Sequence, residues 1–297
     1  MVLSNLLQNI IGGVSVGATY GLIGLGVVFL WQSIERINFA NISSAMIAAY
    51  LFYTFYAQLH LPFFISLVAS IAIIAVYGLL LRYLLFEPIN HHGGGELEFV
   101  VATVMLSIFW LSAIKAFYGG VPRPFPPVFG EATSFVRIGS VSIPFVYFSV
   151  FFVALVLICA LYLLLWKTMI GKMLRATAQN KETASLMGIN VNMTTSLAFM
   201  LATTIVGIGG ILLAPTYFVS LDLGAGPIGV KGFASAIMGG MINPFGTIVG
   251  GITIGLVENF SALFISSVYK DVISFVILVV VIIWKPRGIF NWTTKED

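Results

Sequence analysis

Long apolar stretches without alternating polarity are the feature that most limits how this chain can fold. A helix that crosses a membrane needs about 20 apolar residues, whereas a barrel strand alternates apolar and polar side chains over about ten. Hydropathy marks eight non-alternating blocks, at about 8–31, 37–57, 62–86, 98–118, 143–166, 194–218, 228–265 and 268–284. The sequence therefore predicts an all-α polytopic membrane protein in which residues 1–297 form one transmembrane domain.

The composition agrees with this fold class and excludes several functions. The chain is 59% hydrophobic and 8% charged, whereas a soluble domain is about 25% charged. The lipid bilayer is thus the predicted surrounding, and a net charge of only +3 argues against nucleic acid as a partner. Cys159 is the only cysteine, which excludes an internal disulfide and a cysteine-rich metal site.

Tryptophans followed by cations mark the ends of three blocks. Tryptophan concentrates at membrane interfaces, and Lys and Arg concentrate in cytoplasmic loops. The pairs are Trp31 with Arg36, Trp166 with Lys167, and Trp284 with Lys285, Arg287 and Lys295. We expect these three ends to face the cytoplasm, so the first block runs inward and the N-terminus lies outside.

The block at 228–265 is the exception to a simple count of spans. Eight plain spans would leave the C-terminus outside, although its tryptophan and cations predict the cytoplasm. The block is too long for one span and is interrupted at Gly239-Gly240, 243–246 and 250–251. Broken helices at membrane depth occur only against protein or a wet cavity. The sequence thus predicts a broken or re-entrant element, with Gly239 and Gly240 as candidates for lining a pathway.

A polar stretch at 167–193 separates two apolar blocks and carries four cations and one acid. It predicts a cytoplasmic loop that contains a helix. Five residues recur at helical spacing and would form one small, mildly apolar face: Ala176, Gln179, Asn180, Thr183 and Met187. Gly188 is placed to stop the helix in a left-handed conformation. The segment is interpreted either as a docking surface for a cytoplasmic partner or as an ordinary loop helix on the membrane surface.

Polar residues inside the blocks are the candidates for a transport pathway. Glu258 lies within block seven, where a charged group normally faces a cavity or a partner. It can line a pathway, or it can lie near a helix end and bond to a neighbouring helix. Asn38, Asn41, Ser43 and Ser44 open block two, and they can form a polar gate or make interhelical hydrogen bonds.

Small residues indicate close helix packing, and one short pattern recurs. Gly13, Gly17 and Gly21 form two overlapping GxxxG motifs, which favour close contact between helices. A cation followed by Phe-Ala opens both block two, at 36–40, and block seven, at 231–234. An internal repeat of the kind found in transporters would explain this echo, and so would chance.

No constellation typical of an enzyme or a nucleotide-binding site is present in the sequence. The glycines at 93–95 are not followed by the Lys-Ser or Lys-Thr of a P-loop, so we expect no cofactor on this chain and ATP only on partner subunits. The alternative class is a proton- or sodium-driven carrier or a channel. A proton-driven carrier needs relays of acids or histidines within the membrane, and Glu258 by itself is weak evidence for such a relay.

Four stretches resemble the integral-membrane permease subunit of branched-chain amino-acid ABC transporters: 17–41, 171–190, 229–258 and 269–290. The resemblance implies an ABC importer permease in the bacterial plasma (inner) membrane, driven by separate ATP-binding cassette ATPase subunits. It also implies a second permease subunit, an extracytoplasmic solute-binding protein, and a coupling helix at 175–188 that begins with Arg175. Family members carry His-Gly-Glu where this chain has Asn41-Ile42-Ser43. Urea and short-amide permeases share the same motifs, so both substrate classes stay open.

Overall fold

The computed structural model describes residues 2–125, 135–138, 141–224, 226–285 and 288–289, and it is mostly helical. The α-helices, α1 to α12 in chain order, are Val2–Ile34, Phe39–Tyr53, Phe63–Leu80, Glu87–His91, Glu96–Tyr118, Phe145–Lys167, Met169–Gln179, Lys181–Leu186, Val191–Tyr217, Pro227–Gly239, Pro244–Phe264 and Lys270–Trp284. Strands β1 (Phe135–Ile138) and β2 (Val141–Pro144) form an antiparallel hairpin before α6.

Six of the described helical stretches are long and apolar enough to cross a membrane: Leu6–Ile34, Phe63–His91, Glu96–Tyr118, Phe145–Lys167, Val191–Tyr217 and Pro244–Phe264. The predicted all-α polytopic class is therefore confirmed, and the count of about eight apolar blocks is approximate. Block two forms α2, which continues as a π-helical turn at Thr54–Gln58. Block eight forms the 15-residue α12.

Block seven is broken, as the sequence predicts. It forms α10, of 13 residues, and α11, of 21 residues, which are joined by the short link 240–243. The side chain of Asn243 accepts hydrogen bonds from two amides of the first turn of α11, which satisfies groups that a helix start leaves unpaired. The chain thus reverses direction between a half-length helix and a full-length one.

Helices α1 and α9 form the centre of the bundle. In their apolar windows, 89% and 72% of the residues are buried, against 11% for α6. The glycines of α1 bring it against α11, because a Cβ added to Gly17 would lie 2.6 Å from the Cα of Ile252. The predicted role of the GxxxG motifs in close helix packing is therefore confirmed.

The packing partners of the two central helices support the internal repeat. Helix α1 packs on α10 and α11, and α9 packs on α2 and α3, the elements at the corresponding places in the other half. The two Phe-Ala sequences meet between the halves, where the rings of Phe39 and Phe233 lie 5.6 Å apart.

The last residues of α1, α6 and α12 lie at one end of the bundle, here called the basal end. At this end Gln32 Nε2 donates a hydrogen bond to the carbonyl of Ile242 (2.6 Å). Ile289, just beyond α12, donates its amide to the carbonyl of Met238 (3.0 Å). Arg175, which follows α6, lines a small cavity together with Gln32. The three ends marked by tryptophan are thus brought together.

Two of the cations predicted at the basal end, Arg287 and Lys295, lie outside the described residues. Lys285 is described and exposed.

Candidate functional site

Four charged side chains meet inside the bundle and are here called the ionic cluster: Lys231, Glu258, Lys270 and Asp271. Lys231 Nζ lies 2.9 Å from Glu258 Oε2, and Lys270 Nζ lies 3.2 Å from Glu258 Oε1. Lys231 Nζ also donates to a carboxylate oxygen of Asp271. The cluster contains two cations and two carboxylates, so its formal charge is zero.

Two tyrosines complete the surroundings of the buried carboxylate. Tyr20 Oη donates to Glu258 Oε2 (2.9 Å), and Tyr217 Oη donates to Glu258 Oε1 (2.7 Å). Each oxygen of Glu258 therefore accepts from one ammonium and one hydroxyl. Removing a charge of this kind from water costs several kcal/mol per ion unless partners compensate it, and here four partners do so.

Five helices place these groups. Tyr20 lies near the middle of α1, and Tyr217 is the last residue of α9. Lys231 lies in the first half of α10, Glu258 in the second half of α11, and Lys270 and Asp271 begin α12. Because α9 ends and both α10 and α12 begin around one carboxylate, the chain changes direction inside the bundle. Such helix ends within membrane proteins are typical of binding regions.

The cluster has a buried side and a partly exposed side. The side chains of Lys231 and Glu258 are 1% and 2% exposed, whereas those of Lys270 and Asp271 are 29% and 37% exposed. One ammonium and one carboxylate on neighbouring residues can therefore meet a solute, while their partners stay in the interior.

Glu258 makes the bonds to neighbouring helices that one of its two interpretations predicts, and the pathway-lining interpretation stays a prediction. It is bonded to neighbouring helices, and it also belongs to a cluster with a partly exposed side. Sequence reasoning does not single out Lys231, Lys270 or Asp271 as site residues. The sequence feature that could have identified Lys231 is its charge inside an apolar block. Lys270 and Asp271 are charges at the start of block eight. No sequence signal identifies either tyrosine.

The polar residues that open block two are buried, and two of them, Asn38 and Asn41, line a small cavity. Asn41, Ser43 and Ser44 are at most 1% exposed, and Asn38 is 6% exposed. Asn38 Oδ1 accepts from the amide of Asn41 (3.1 Å), and Asn41 Nδ2 donates to the carbonyl of Gly26 (3.5 Å). Within the described residues, Asn38 Nδ2, Asn41 Oδ1 and both serine hydroxyls have no hydrogen-bond partner. Their interhelical bonding is therefore incomplete.

Gly239 and Gly240 form the turn between α10 and α11 at the basal end. Gly240 is left-handed, with φ 95°, a conformation that glycine adopts without steric cost. A Cβ on Gly239 would lie 2.3 Å from the amide nitrogen of Thr247. The turn therefore requires Gly240 for its backbone conformation and Gly239 for close packing.

The polar stretch at 167–193 forms two helices, α7 and α8, and the single helical face predicted for it is wrong. The break is at Asn180, whose backbone is extended (φ −161°) and whose side chain accepts from the amide of Thr183 (2.8 Å). Asn competes with the helix through such local bonds and favours caps. Ala176 is therefore on a different helix from Thr183 and Met187.

The segment still presents an exposed tip. Gln179, Asn180, Thr183, Met187 and Gly188 are exposed, whereas Arg175 and Ala176 are half-buried. Gly188 has φ 81° and stops α8 in the left-handed conformation, as predicted.

Two apolar side chains stand out at this tip. Leu186 and Met187, the last residue of α8 and the residue after it, are 83% and 80% exposed. Ala184, on the opposite side of α8, is 4% exposed and packs inward. Exposed apolar side chains of this kind are typical of a contact with another protein or with a membrane surface, the two interpretations that the sequence leaves open.

Comparison with known proteins identifies the family. The profile of the family described as branched-chain amino acid transport system / permease component matches residues 9–282. The chain is 28% identical to the high-affinity branched-chain amino acid transport system permease protein BraD of Pseudomonas aeruginosa, with 96% of this chain and 95% of BraD covered. It is 28% identical to LivH of Escherichia coli, at the same coverage, and 28% identical to the probable LivH of Methanocaldococcus jannaschii, at 93% and 89%.

No solved structure matches the chain. The family profile spans all the described helices from within α1 to within α12, including the ionic cluster and the polar loop. The chain therefore belongs to the family of branched-chain amino acid transport system permease components.

Proposed function

We propose that this chain is the membrane-spanning permease subunit of an ABC importer for branched-chain amino acids or related small polar solutes. It passes the solute from an extracytoplasmic binding protein to the cytoplasm, together with a second permease subunit. Separate ATPase subunits bind ATP and drive the cycle. The observation that carries the proposal is the family match over residues 9–282, whose members named above are permease proteins.

The basal end faces the cytoplasm in this proposal. It carries the tryptophan-marked ends of α1, α6 and α12, and the cations beside them favour the cytoplasmic side. The polar loop of α7 and α8 begins at the same end, directly after Lys167. The binding protein therefore meets the opposite end, and the C-terminus lies in the cytoplasm.

The tip of α8 is the contact with the ATPase. Leu186 and Met187 fill a groove on that subunit, and the loop returns to the bundle through α9. Arg82 fixes this return, because its guanidinium donates to the carbonyl of Asn192 and to the hydroxyl of Ser196 in the first turns of α9. Movement of the tip is thus passed to a central helix.

The ionic cluster supports a zwitterionic solute. Lys270 binds the carboxylate of the solute and Asp271 its ammonium group, in exchange for their present partners. A zwitterion supplies one charge to each of these two groups and leaves the cluster neutral, whereas a solute with one charge pairs only one of them and an uncharged solute pairs neither. Leucine, isoleucine and valine are zwitterions of this kind, and urea is not.

The test is ATPase stimulation by a loaded binding protein. The chain is purified with its ATPase, second permease and binding-protein partners and placed in nanodiscs. We expect leucine, isoleucine or valine to raise the ATPase rate and urea or acetamide to leave it unchanged. Stimulation by urea alone would show that the substrate class is urea or a short amide and not a branched-chain amino acid. ATP hydrolysis by this chain purified on its own would overturn the proposal.

The orientation has its own test. In a Cys159→Ser background, single cysteines at 172 and 285 are labelled in intact cells with an impermeant maleimide, and a cysteine at 59 serves as the control. Leu59 lies beyond the π-helical end of α2 and is 59% exposed. We expect labelling at 59 only. Labelling at 172 or 285 in sealed cells would reverse the proposed orientation.

A further inference from the structure

We propose that a groove between α1, α6 and α11 binds an acyl chain of an anionic phospholipid, whose phosphate is held by the cations that follow α6. The groove, here called the α6 groove, has a volume of about 770 Å³. Its floor is α1 and its walls are α6 and α11, lined among others by Ala18, Phe29, Leu155, Trp166, Phe245 and Ile252.

The walls of the groove are apolar and open to the outside of the bundle. Leu155, Trp166 and Phe245 are 43%, 53% and 72% exposed. Only 11% of the apolar window of α6 is buried, so this helix meets its surroundings along its whole length. In a bilayer those surroundings are acyl chains, and a groove of this shape orders one of them.

The basal mouth of the groove is cationic. Lys167 ends α6, Lys172 and Arg175 lie on α7, and residues 167–180 contain no acid. Lys172 and Arg175 are three residues apart on α7 and so lie on neighbouring parts of its surface. Under the proposed orientation this mouth lies at the cytoplasmic leaflet, whose anionic lipids attract such clusters.

Arg175 joins the mouth to the groove. Its guanidinium carbon lies 4.0 Å from the ring centroid of Trp166, which itself lines the groove. Its Nε is buried and has no hydrogen-bond partner among the described residues. Among the described residues Arg175 has no carboxylate partner, and a guanidinium stacked over an aromatic ring is suited to bidentate binding of a phosphate through its terminal nitrogens.

The cations favour a lipid over a helix of the second permease subunit as the occupant. A transmembrane helix packed in the groove would be held by small residues and interhelical hydrogen bonds. The lining is mostly bulky and apolar, and the charges collect at the interface, at the depth of lipid phosphates. A phospholipid matches both features, because its acyl chain fits the apolar lining and its phosphate pairs with the cations.

The experiment uses Cys159, which is exposed, lines the groove and is the only cysteine. The assembled transporter is labelled there with bimane and placed in nanodiscs that contain acyl-brominated phosphatidylglycerol or, at the same fraction, acyl-brominated phosphatidylcholine. We expect stronger quenching by the anionic lipid. Arg175→Ala should lower this preference about fivefold, since one cation near an anionic surface contributes about 1 kcal/mol.

Two controls make the result specific. Lys115→Ala removes an exposed cation near the far end of α5 and should leave the preference unchanged. Bimane on Val68→Cys in a Cys159→Ser background reports from an exposed position on α3 and should show no headgroup preference.

Three results would overturn the inference. Equal quenching by the two lipids at Cys159 would show ordinary lipid contact without a site. A preference that survives Arg175→Ala would remove the phosphate contact. Protection of Cys159 from both labelling and quenching, only when the second permease is present, would assign the groove to that subunit.

Discussion

Helices α2 and α10 share a Phe-Ala sequence and lie at corresponding places in the two halves, yet their polar groups differ in kind. Phe39-Ala40-Asn41 opens α2, and Phe233-Ala234-Ser235 lies in α10, with the two phenylalanine rings in contact. Helix α10 adds Lys231, whose ammonium group is paired with two carboxylates. Helix α2 has only neutral amides and hydroxyls.

The difference shows which polar groups an apolar interior tolerates. A buried charge costs far more than a buried neutral group, so it must be paired. The lysine of α10 is paired, and its partners tie α10 to α11 and α12. Four neutral atoms at the start of α2 have no partner within the described residues. Helix α10 is therefore fixed by its charges, whereas α2 is held by packing and is free to change its polar partners.

The largest expected effect comes from removing the charge of α10. Lys231→Met leaves Glu258 with one cation in place of two and leaves Asp271 without the ammonium that it contacts. Breaking a buried pair in this way costs about 3–5 kcal/mol. We expect a lower thermal unfolding temperature of the detergent-solubilised protein and loss of solute-stimulated ATPase activity.

The double variant Lys231→Met, Glu258→Gln is the control for the first prediction. Replacing both members of a buried ion pair is often close to neutral for stability, so it should recover part of the unfolding temperature but not the ATPase stimulation. A single variant as stable as the native protein would show that the ion pair contributes nothing, and the contrast with α2 would fail.

A smaller effect is expected from glycines that hold the two helices in place. A Cβ on Gly210 of α9 would lie 2.1 Å from the carbonyl oxygen of Ala45 in α2, which is backbone. A Cβ on Gly24 of α1 would lie 2.0 Å from the hydroxyl of Ser235 in α10, which is a side chain. Overpacking costs about 1–3 kcal/mol, and a side chain can turn away where backbone cannot.

Gly210→Ala should therefore lower the unfolding temperature more than Gly24→Ala does. Differential scanning fluorimetry of the two variants measures this order. The reverse order would mean that α10, and not α2, is the helix held chiefly by packing.

The apolar blocks and their broken member could be predicted from the sequence, because length and hydropathy decide them. The shared end of α1, α6 and α12 follows from tryptophans and cations, whose preference for interfaces is local. The ionic cluster could not be predicted, because Lys231 and Asp271 are 40 residues apart along the chain. Only packing brings them together, and a lone lysine in an apolar block does not indicate which residues it pairs with.

The single helical face that periodicity predicts over 176–187 is wrong for a local reason. Periodicity placed Asn180 on a helical face, but its side chain caps α8 and its backbone is extended. Asparagine is common both at helix starts and on exposed faces, and one sequence does not decide between them. The stop at Gly188 was predictable because a left-handed position favours glycine strongly.

The smallest expected effect concerns two serines of the compared helices, Ser43 of α2 and Ser235 of α10. Ser235 Oγ in α10 donates to the carbonyl of Tyr20 (2.9 Å), whereas Ser43 Oγ in α2 has no partner within the described residues. A typical internal hydrogen bond contributes about 1 kcal/mol, and an unpaired buried hydroxyl costs about 1–3 kcal/mol.

Ser235→Ala should therefore lower the unfolding temperature slightly, and Ser43→Ala should leave it unchanged or raise it. Thermal unfolding of both variants in the same detergent shows whether each substitution lowers or raises the unfolding temperature. If Ser43→Ala destabilises the protein as much as Ser235→Ala does, the hydroxyl of Ser43 has a partner that α2 holds as firmly as α10 holds its own. The two helices would then be equivalent in this respect, and the greater freedom assigned to α2 would have no basis.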